Sequence, residues 1–463
     1  MDNKRLYTWW LAIVASLGGF LFGYDTAVIS GTLSMVREQF ALNVGMEGWY
    51  VSSALVGCIA GVAVAGWLSD RYGRKKVLLL AAAMFTISAI GCAFVGSFAS
   101  LVVYRLIGGM GVGIASMLAP MYISEIAHPS LRGRMVAVYQ LAITIGILGA
   151  FFVNAWLLGQ SDATAAGSAP LTLIFKSEVW RAMLGMESVP AFTFFILILM
   201  VPESPRWLVV QGRTAKARQI LLKTAGETNA EQEIREIKES FEMNTGSIKI
   251  MRHPGIKAAI FLGVSLAVLA QFTGIDAIIY YGPRILEQAG FTLSDALNGQ
   301  VIIGIINMSF TLLAIWKIDS LGRKPLLIAG TLGMFVALTA IGLLFLIGKA
   351  DGILLLSFIL IFIASFAFSL GPVVWVILSE IYPTKIRGRA MSIATMATWI
   401  ATSIIGQVIP FLLDNLGPAF TFWLFAFFCI PTVLIGWKLM PETKGRTLEN
   451  IEKYWYNYKL LKK

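Results

Sequence analysis

The sequence predicts an all-α membrane protein with twelve transmembrane helices in two pseudo-symmetric six-helix halves and a cytoplasmic helical subdomain between them. Three observations carry this: composition, a set of phrases stated twice, and the side on which the cations fall. Of 463 residues, 57% are hydrophobic and only 14% charged, and the mean hydropathy is +0.76. A soluble domain is about a quarter charged, so most of this surface must face lipid.

The repeated phrases come next. Asp70-Arg71-Tyr72-Gly73-Arg74-Lys75 lies between two apolar runs, and Asp319-Ser320-Leu321-Gly322-Arg323-Lys324 lies between two others. Ser124-Glu125 precedes Arg132-Gly133-Arg134, as Ser379-Glu380 precedes Arg387-Gly388-Arg389. Pro202-Glu203-Ser204 is echoed by Pro441-Glu442-Thr443. All three pairs recur in the same order at an offset of roughly 240 to 255 residues, which is an internal duplication.

A hydrocarbon core about 30 Å thick takes about 20 residues of helix to cross. On that ruler the first half gives spans near 9–30, 48–68, 77–97, 101–126, 135–158 and 181–201. The second gives 256–287, 299–318, 326–348, 354–379, 391–413 and 419–440. The expected domains are therefore 1–202 and 256–441 for the halves, 203–255 for a cytoplasmic helical linker, and 442–463 for a cytoplasmic C-terminal helix. In the linker, apolar residues such as Ala217, Ile220, Leu221, Ile234, Ile237 and Phe241 recur near helical spacing, and Gly212 and Gly226 cut it into helix-length pieces. In the tail, Ile451, Tyr454, Trp455 and Tyr458 share one face.

Cations set the orientation. With the N-terminus cytoplasmic, that side receives Arg71, Arg74, Lys75, Lys76, Arg132, Arg134, Arg323, Lys324, Lys385, Arg387 and Arg389. The opposite side keeps little beyond Arg37, Lys176, Arg181, Arg284 and Lys349. Both termini are thus expected inside. The formal charge of +11 is a topology signal and not a nucleic-acid face. The apolar run from Trp9 is too long for a cleavable signal. Cys58, Cys92 and Cys429 lie inside apolar runs and read as inert packing residues. His128 and His253 fall in cytoplasmic segments. The chain shows no nucleophile–base arrangement, metal-ligand cluster or phosphate loop, so neither an enzyme nor a cofactor is expected.

Two six-span halves suit a carrier that rocks one half against the other. Gly57 with Gly61, Gly109 with Gly113, and Gly18-Gly19 with Gly23 place small residues on single helix faces, where backbones can approach. The repeated phrases suggest a charged latch at the cytoplasmic face, made by Asp70, Arg71, Arg74, Glu125, Arg132 and Glu203 and by Asp319, Arg323, Glu380, Arg387 and Glu442. Such a latch would hold the halves together in one state and break in the other. Topology alone accounts for the cations, but not for acids at matching places in both halves.

Ionisable residues deep in an apolar span are expensive and need a reason. Asp25, after a turn read at Phe22-Gly23-Tyr24, and Arg105 are such residues. Asp25 is either a fixed partner for Arg105 or a carboxylate that takes up and releases a proton as the pair separates.

The phrases Asp-Arg-x-Gly-Arg-Lys, Pro202-Glu203-Ser204-Pro205-Arg206-Trp207 and Pro441-Glu442-Thr443-Lys444-Gly445-Arg446, together with Gly18 to Asp25, resemble those of the sugar porters of the major facilitator superfamily. The resemblance runs from about residue 9 to residue 455 and is strongest to bacterial proton symporters for xylose and other pentoses or hexoses. It implies alternating access, a central sugar site and a cytoplasmic helical subdomain. It also implies that an acid at Asp25, partnered by Arg105, couples transport to a proton, the coupling ion. The facilitative members have no acid there.

A sugar is a ring of hydroxyls with an apolar face, so its site wants amide forks and aromatic plates. Gln140, Gln271, Asn307, Trp375 and Trp399 are candidates, with Tyr280 and Tyr281 at a helix break expected before Pro283. Matching to the family places Gln140, Gln271, Asn307 and Trp375 at sugar contacts. The chain departs from the xylose symporters at Ala270, Asp276, Thr398 and Ile147, where they carry Gln, Asn, Gln and Gln. Asp276 can accept two sugar hydroxyls, bind a cationic substrate, serve as a second proton site or stand protonated in place of the Asn.

The expected function is proton-coupled uptake of a monosaccharide by alternating access. The alternatives are a facilitative uniporter, a polyol or inositol carrier, and a transporter-like sugar sensor. A sensor is disfavoured because only about twenty residues follow Pro441. The expected partners are a sugar, a proton and the lipid bilayer, with no nucleic acid, and the chain is expected to act as a monomer. No Asn-x-Ser/Thr sequon sits in an outward loop, and with the short termini this suggests a bacterial inner membrane.

Overall fold

The computed structural model describes residues 3–127, 131–161, 173–224, 226–242, 250–350, 352–383, 386–446 and 448–458; His128 and Lys385 lie outside them. Among the described residues every regular element is a helix. Five long helices come first: α1 (Asn3–Gln39), α2 (Val44–Tyr72), α3 (Arg74–Phe94), α4 (Phe98–Ile126) and α5 (Arg132–Gln160). The sixth apolar run is broken into α6 (Val179–Gly185) and α7 (Ser188–Met200). Three amphipathic helices follow: α8 (Pro205–Val210), α9 (Thr214–Thr224) and α10 (Glu227–Glu242). The seventh run is α11 (Pro254–Phe272) and α12 (Ile275–Gln288). Then come α13 (Leu293–Leu321), α14 (Arg323–Leu346), the broken pair α15 (Gly352–Phe368) and α16 (Leu370–Ile381), α17 (Arg387–Asn415) and α18 (Gly417–Lys438). α19 (Leu448–Tyr456) follows the last of them.

Twelve stretches, from Lys4–Gln39 to Gly417–Lys438, are long and apolar enough to cross a membrane, and each overlaps one expected span. Their apolar residues surround the helix, as burial in lipid requires. Large side chains such as Trp67, Phe94, Trp316, Val336 and Phe427 are exposed, which in water would be an aggregation liability and in a bilayer is solvation.

The chain divides into two compact units, one of Met1–Ala41 with Ser53–Thr245 and one of Leu42–Ser52 with Gly246–Lys463. The linker helices therefore group with the first unit and α19 with the second. The first turns of α2 also belong to the second unit, although the rest of that helix belongs to the first.

Within the first unit glycines do the close packing. Gly57 and Gly61 of α2 lie against the backbone at Leu106 and Met110 of α4, while Gly109 and Gly113 of α4 lie against Ala54 and Cys58. A methyl group at any of the four would collide with backbone. Gly23 corrects one expectation: it marks no turn. α1 runs straight through it, and Gly23 is glycine because it rests on the Ile143 carbonyl of α5, as Gly146 rests on Phe20.

The linker helices carry a small core of their own, Trp207, Leu208, Val209, Ala217, Leu221, Ala230 and Ile234. Gly212 and Gly226, with φ of 73° and 88°, turn the chain between them, a backbone shape that costs glycine nothing. On α19, Ile451 and Trp455 are buried, and Gly255 of α11 lies against the Trp455 carbonyl.

A second correction concerns the seventh run. The helix break lies at Thr273–Gly274 and not beside Pro283, which sits inside α12. Gly274 adopts φ 89° against the ring of Phe425, where a side chain would clash. Pro283 removes only its own N–H from the ladder, which a helix this well packed tolerates.

Candidate functional site

In the first unit, α1 and α4 bring the two intramembrane charges together. Arg105 Nη1 donates to Asp25 Oδ1 at 2.6 Å, and each side chain is only 3% exposed. Between α6 and α7 lies Glu187, also buried, whose carboxyl faces that of Asp25. Asp25 Oδ2 and Glu187 Oε1 have no hydrogen-bond partner among the described residues. Two acids and one guanidinium share a desolvated pocket, so a proton placed between the carboxyls balances the charge. Sequence reasoning missed Glu187; its signal was an acid inside the sixth apolar run. Gln140 is half-buried on α5.

In the second unit, α11 packs on α16 and α17, and α12 on α13 and α17. These helices carry the sugar-site candidates. Asp276 is buried in the first turn of α12, beside the hydroxyls of Tyr280 and Thr402. Its Oδ2 has no partner among the described residues. Asn307 on α13 and Trp399 on α17 are buried, Gln271 at the end of α11 is half-buried, and Trp375 on α16 is exposed. The Thr398 hydroxyl donates to the Ala394 carbonyl of its own helix at 3.0 Å, leaving only an acceptor for a substrate. Tyr281 is spent as a tie, donating to the Gly406 carbonyl at 2.6 Å, whereas Tyr280 stands by Asp276.

The repeated phrases fold into two matching charged networks. In the first unit Arg74 binds Glu125 at 3.1 Å and Asp70 at 3.2 Å. Glu203 accepts from the backbone N–H groups of Arg74 at 2.8 Å, Lys75 at 3.1 Å and Ser204 at 2.9 Å, capping α3. The Ser204 hydroxyl donates to Glu125 at 2.5 Å. In the second unit Arg323 binds Asp319 at 2.8 Å and Glu380 at 2.9 Å. Glu442 accepts from the N–H groups of Arg323 at 3.1 Å and Lys324 at 3.0 Å, and Thr443 donates to Glu380 at 2.6 Å. Gly73 and Gly322, with φ of 97° and 90°, let the carboxylates of Glu203 and Glu442 reach the helix ends. Burial pushes the Glu442 carboxyl up, but the backbone N–H groups of Lys444, Lys324, Arg323 and Thr443 together outweigh it and hold it below its ordinary value.

Each of these four ion pairs lies within a single unit. The reason is reach: Arg74 and Arg323 start α3 and α14 and find the acid four residues earlier and the next helix of the same bundle. Arg71 stays out of the network and lies over the rings of Trp67 and Tyr72 at 5.6 and 5.5 Å. Arg387 reaches the Tyr382 carbonyl at 3.4 Å. The Arg132 side chain lies outside the described residues.

The family described as sugar (and other) transporter matches residues 11–455. The arabinose-proton symporter of Bacillus subtilis is 40% identical over 96% of this chain and 94% of its own length. The D-xylose-proton symporter of Escherichia coli is 39% identical over 97% of this chain and 96% of its own. Among solved structures, the proton:xylose symporter XylE bound to 6-bromo-6-deoxy-D-glucose matches with a TM-score of 0.81 at 39% identity, covering 97% of this chain and 99% of that one. With twelve apolar spans, two duplicated bundles and a match over nearly its whole length, this chain belongs to the sugar transporter family of the major facilitator fold.

Proposed function

We propose that the protein is a carrier, not an enzyme, that couples the inward movement of a proton to uptake of a monosaccharide by alternating access. The buried Asp25–Arg105 pair with Glu187 beside it is the observation that supports this most directly. A pair this deep is costly to assemble and more costly to break one-sidedly. A proton on Asp25 or Glu187 weakens the hold on Arg105 and frees the helices that carry them, α1, α4 and the α6–α7 joint, to shift. A membrane potential contributes about 2.3 kcal/mol per charge per 100 mV, so one coupled proton sustains about fiftyfold accumulation at that potential.

The sugar site is assigned to Gln140, Gln271, Asp276, Tyr280, Asn307, Trp375, Thr398 and Trp399. Asp276 replaces a neutral donor-acceptor with a group that in its ionised form only accepts. The substrate therefore presents a pair of hydroxyls, or an amino group, to α12. The two charged networks lock the cytoplasmic ends of the helices within each bundle, so that each moves as a rigid rim of the cytoplasmic gate. The linker helices rest on the first of those rims, where Trp207 Nε1 donates to the Asp70 carbonyl at 2.9 Å. The carrier works as a monomer in a bacterial inner membrane with both termini cytoplasmic.

Uptake of labelled xylose, arabinose, glucose, galactose, fucose and inositol by proteoliposomes, with and without an inward proton gradient, tests the reading. Accumulation of one of them only with the gradient is expected. Equilibration indifferent to the gradient would make the protein a uniporter and Asp25 a structural partner of Arg105.

A further inference from the structure

Within the second unit an ion cluster ties the start of α2 to α12 and α17. Arg284 on α12 is buried and donates to Glu47 at the start of α2, which is 0% exposed. Its other arm donates to Asp414 at the end of α17 at 2.6 Å, where the acid is 30% exposed. Gln407 of α17 adds two further ties: Ser52 Oγ donates to its Oε1 at 2.7 Å, and its Nε2 donates to the Gly45 carbonyl at 3.1 Å. Gly48 lies directly against the Gln407 backbone carbonyl, with no room for a side chain. These contacts are why Leu42–Ser52 belongs to the second unit while the same helix from Ser53 onward belongs to the first. The segment begins just after Ala41, which holds φ 47°, a left-handed shape that costs an alanine about 1 kcal/mol.

We infer that Leu42–Ser52 is a strap held by Arg284 between Glu47 and Asp414, and that it is the outer latch of the carrier, released each time the protein opens to the outside. The inference rests on the alternating-access reading, because a carrier that admits sugar from outside must free the outer end of α2. Charge suits the task better than apolar packing. An apolar contact always favours the closed form, since opening it exposes surface to water. Glu47 and Arg284 instead give up hydration on closing and regain it on opening, so the pair sits near balance between two states. Arg284 supplies two separate arms, so the strap is positioned against α17 as well as α12. In the sequence alone Arg284 is merely one of the few outward cations.

The test places one cysteine on the strap, Ser52→Cys, in the full chain in intact cells, and reads labelling of the new thiol by a membrane-impermeant reagent. Ser52 is 1% exposed, and the native cysteines are buried and serve as a fold control. Arg284→Gln in that background is expected to raise labelling of the strap thiol by about tenfold or more, with Cys92 still silent. Glu47→Gln should act in the same direction, and Asp414→Asn less, since that acid is partly hydrated. Unchanged labelling of the strap thiol in Arg284→Gln overturns the latch. Where Arg284→Gln also exposes Cys92, Asp414→Asn decides: faster labelling of the strap with silent Cys92 supports the latch, and no change overturns it. The readout needs no substrate, so a latch that responds in a protein that transports none of the sugars tested separates this inference from the choice of cargo.

Discussion

Asp25 in the first unit and Asp276 in the second are both buried carboxylates, and the two sit in opposite electrostatic company. Asp25 meets a guanidinium at 2.6 Å and a second acid, Glu187. Asp276, among the described residues, meets the hydroxyls of Tyr280 and Thr402. A carboxylate held by a cation is a switch, since adding a proton removes an ion pair and changes what the helices prefer. A carboxylate among hydroxyls is a recognition group, since its spare oxygen is satisfied only by what enters the site. The duplication produced two similar bundles, and in the proposed function the difference in partners divides energy coupling from substrate choice.

The sharpest way to break the comparison is Asp25→Asn. It should collapse gradient-driven accumulation from up to about fiftyfold at 100 mV to none, while exchange of labelled substrate persists in part; unchanged accumulation would remove Asp25 from coupling. Asp276→Asn should leave accumulation coupled but reorder the sugar panel, with about tenfold or more shift in relative kcat/KM, the scale of a polar group matched or left unmatched. An unchanged ranking would return Asp276 to a structural role.

The smallest effects belong to the duplicated networks, where the two units are most alike. Thr443→Ala deletes the hydroxyl bond to Glu380, whereas Ser204→Ala deletes the bond to Glu125 and also the cap on the Trp207 N–H of α8. Thr443→Ala should cost about 1–2 kcal/mol of thermal stability, and Ser204→Ala about 1 kcal/mol more. Acid separates them further. Because Glu442 is held below its ordinary value, the stability it contributes is present above its unfolded pKa and lost as pH falls through the lower, folded one. Glu442→Gln should therefore be less stable than the parent near neutrality, with the gap closing below about pH 4. A gap constant from pH 7 to pH 3 would contradict this.

The spans and the duplication were legible because bilayer thickness and hydropathy act on windows of sequence, with no long-range contact involved. The linker helices were legible for the same reason: Gly212 and Gly226 are local stops. The Asp25–Arg105 pair could be read as two misplaced charges in one bundle. Glu187 escaped because a single acid near the start of a span looks like a boundary until α6 and α7 fold it toward Asp25. The turn assigned to Gly23 and the break assigned near Pro283 failed alike. Glycine and proline report that something unusual happens to the backbone, but whether it is a bend, a close approach or a tolerated gap depends on the neighbouring helix. Here the neighbours were Ile143 for Gly23 and Phe425 for Gly274.

Sequence by itself therefore determined the solvent, the number of spans, their pairing into two bundles and the residue types available for coupling and sugar recognition. Tertiary structure decided which charges meet. It closed the repeated phrases within single bundles, gave Asp25 a cation and Asp276 two hydroxyls, and carried the first turns of α2 to Arg284 and Asp414. Ion pairs and orphaned oxygens are made over a few ångströms between residues up to 237 apart in the chain. Coulomb energy and desolvation depend on that separation in space, and hydropathy along the chain does not encode it.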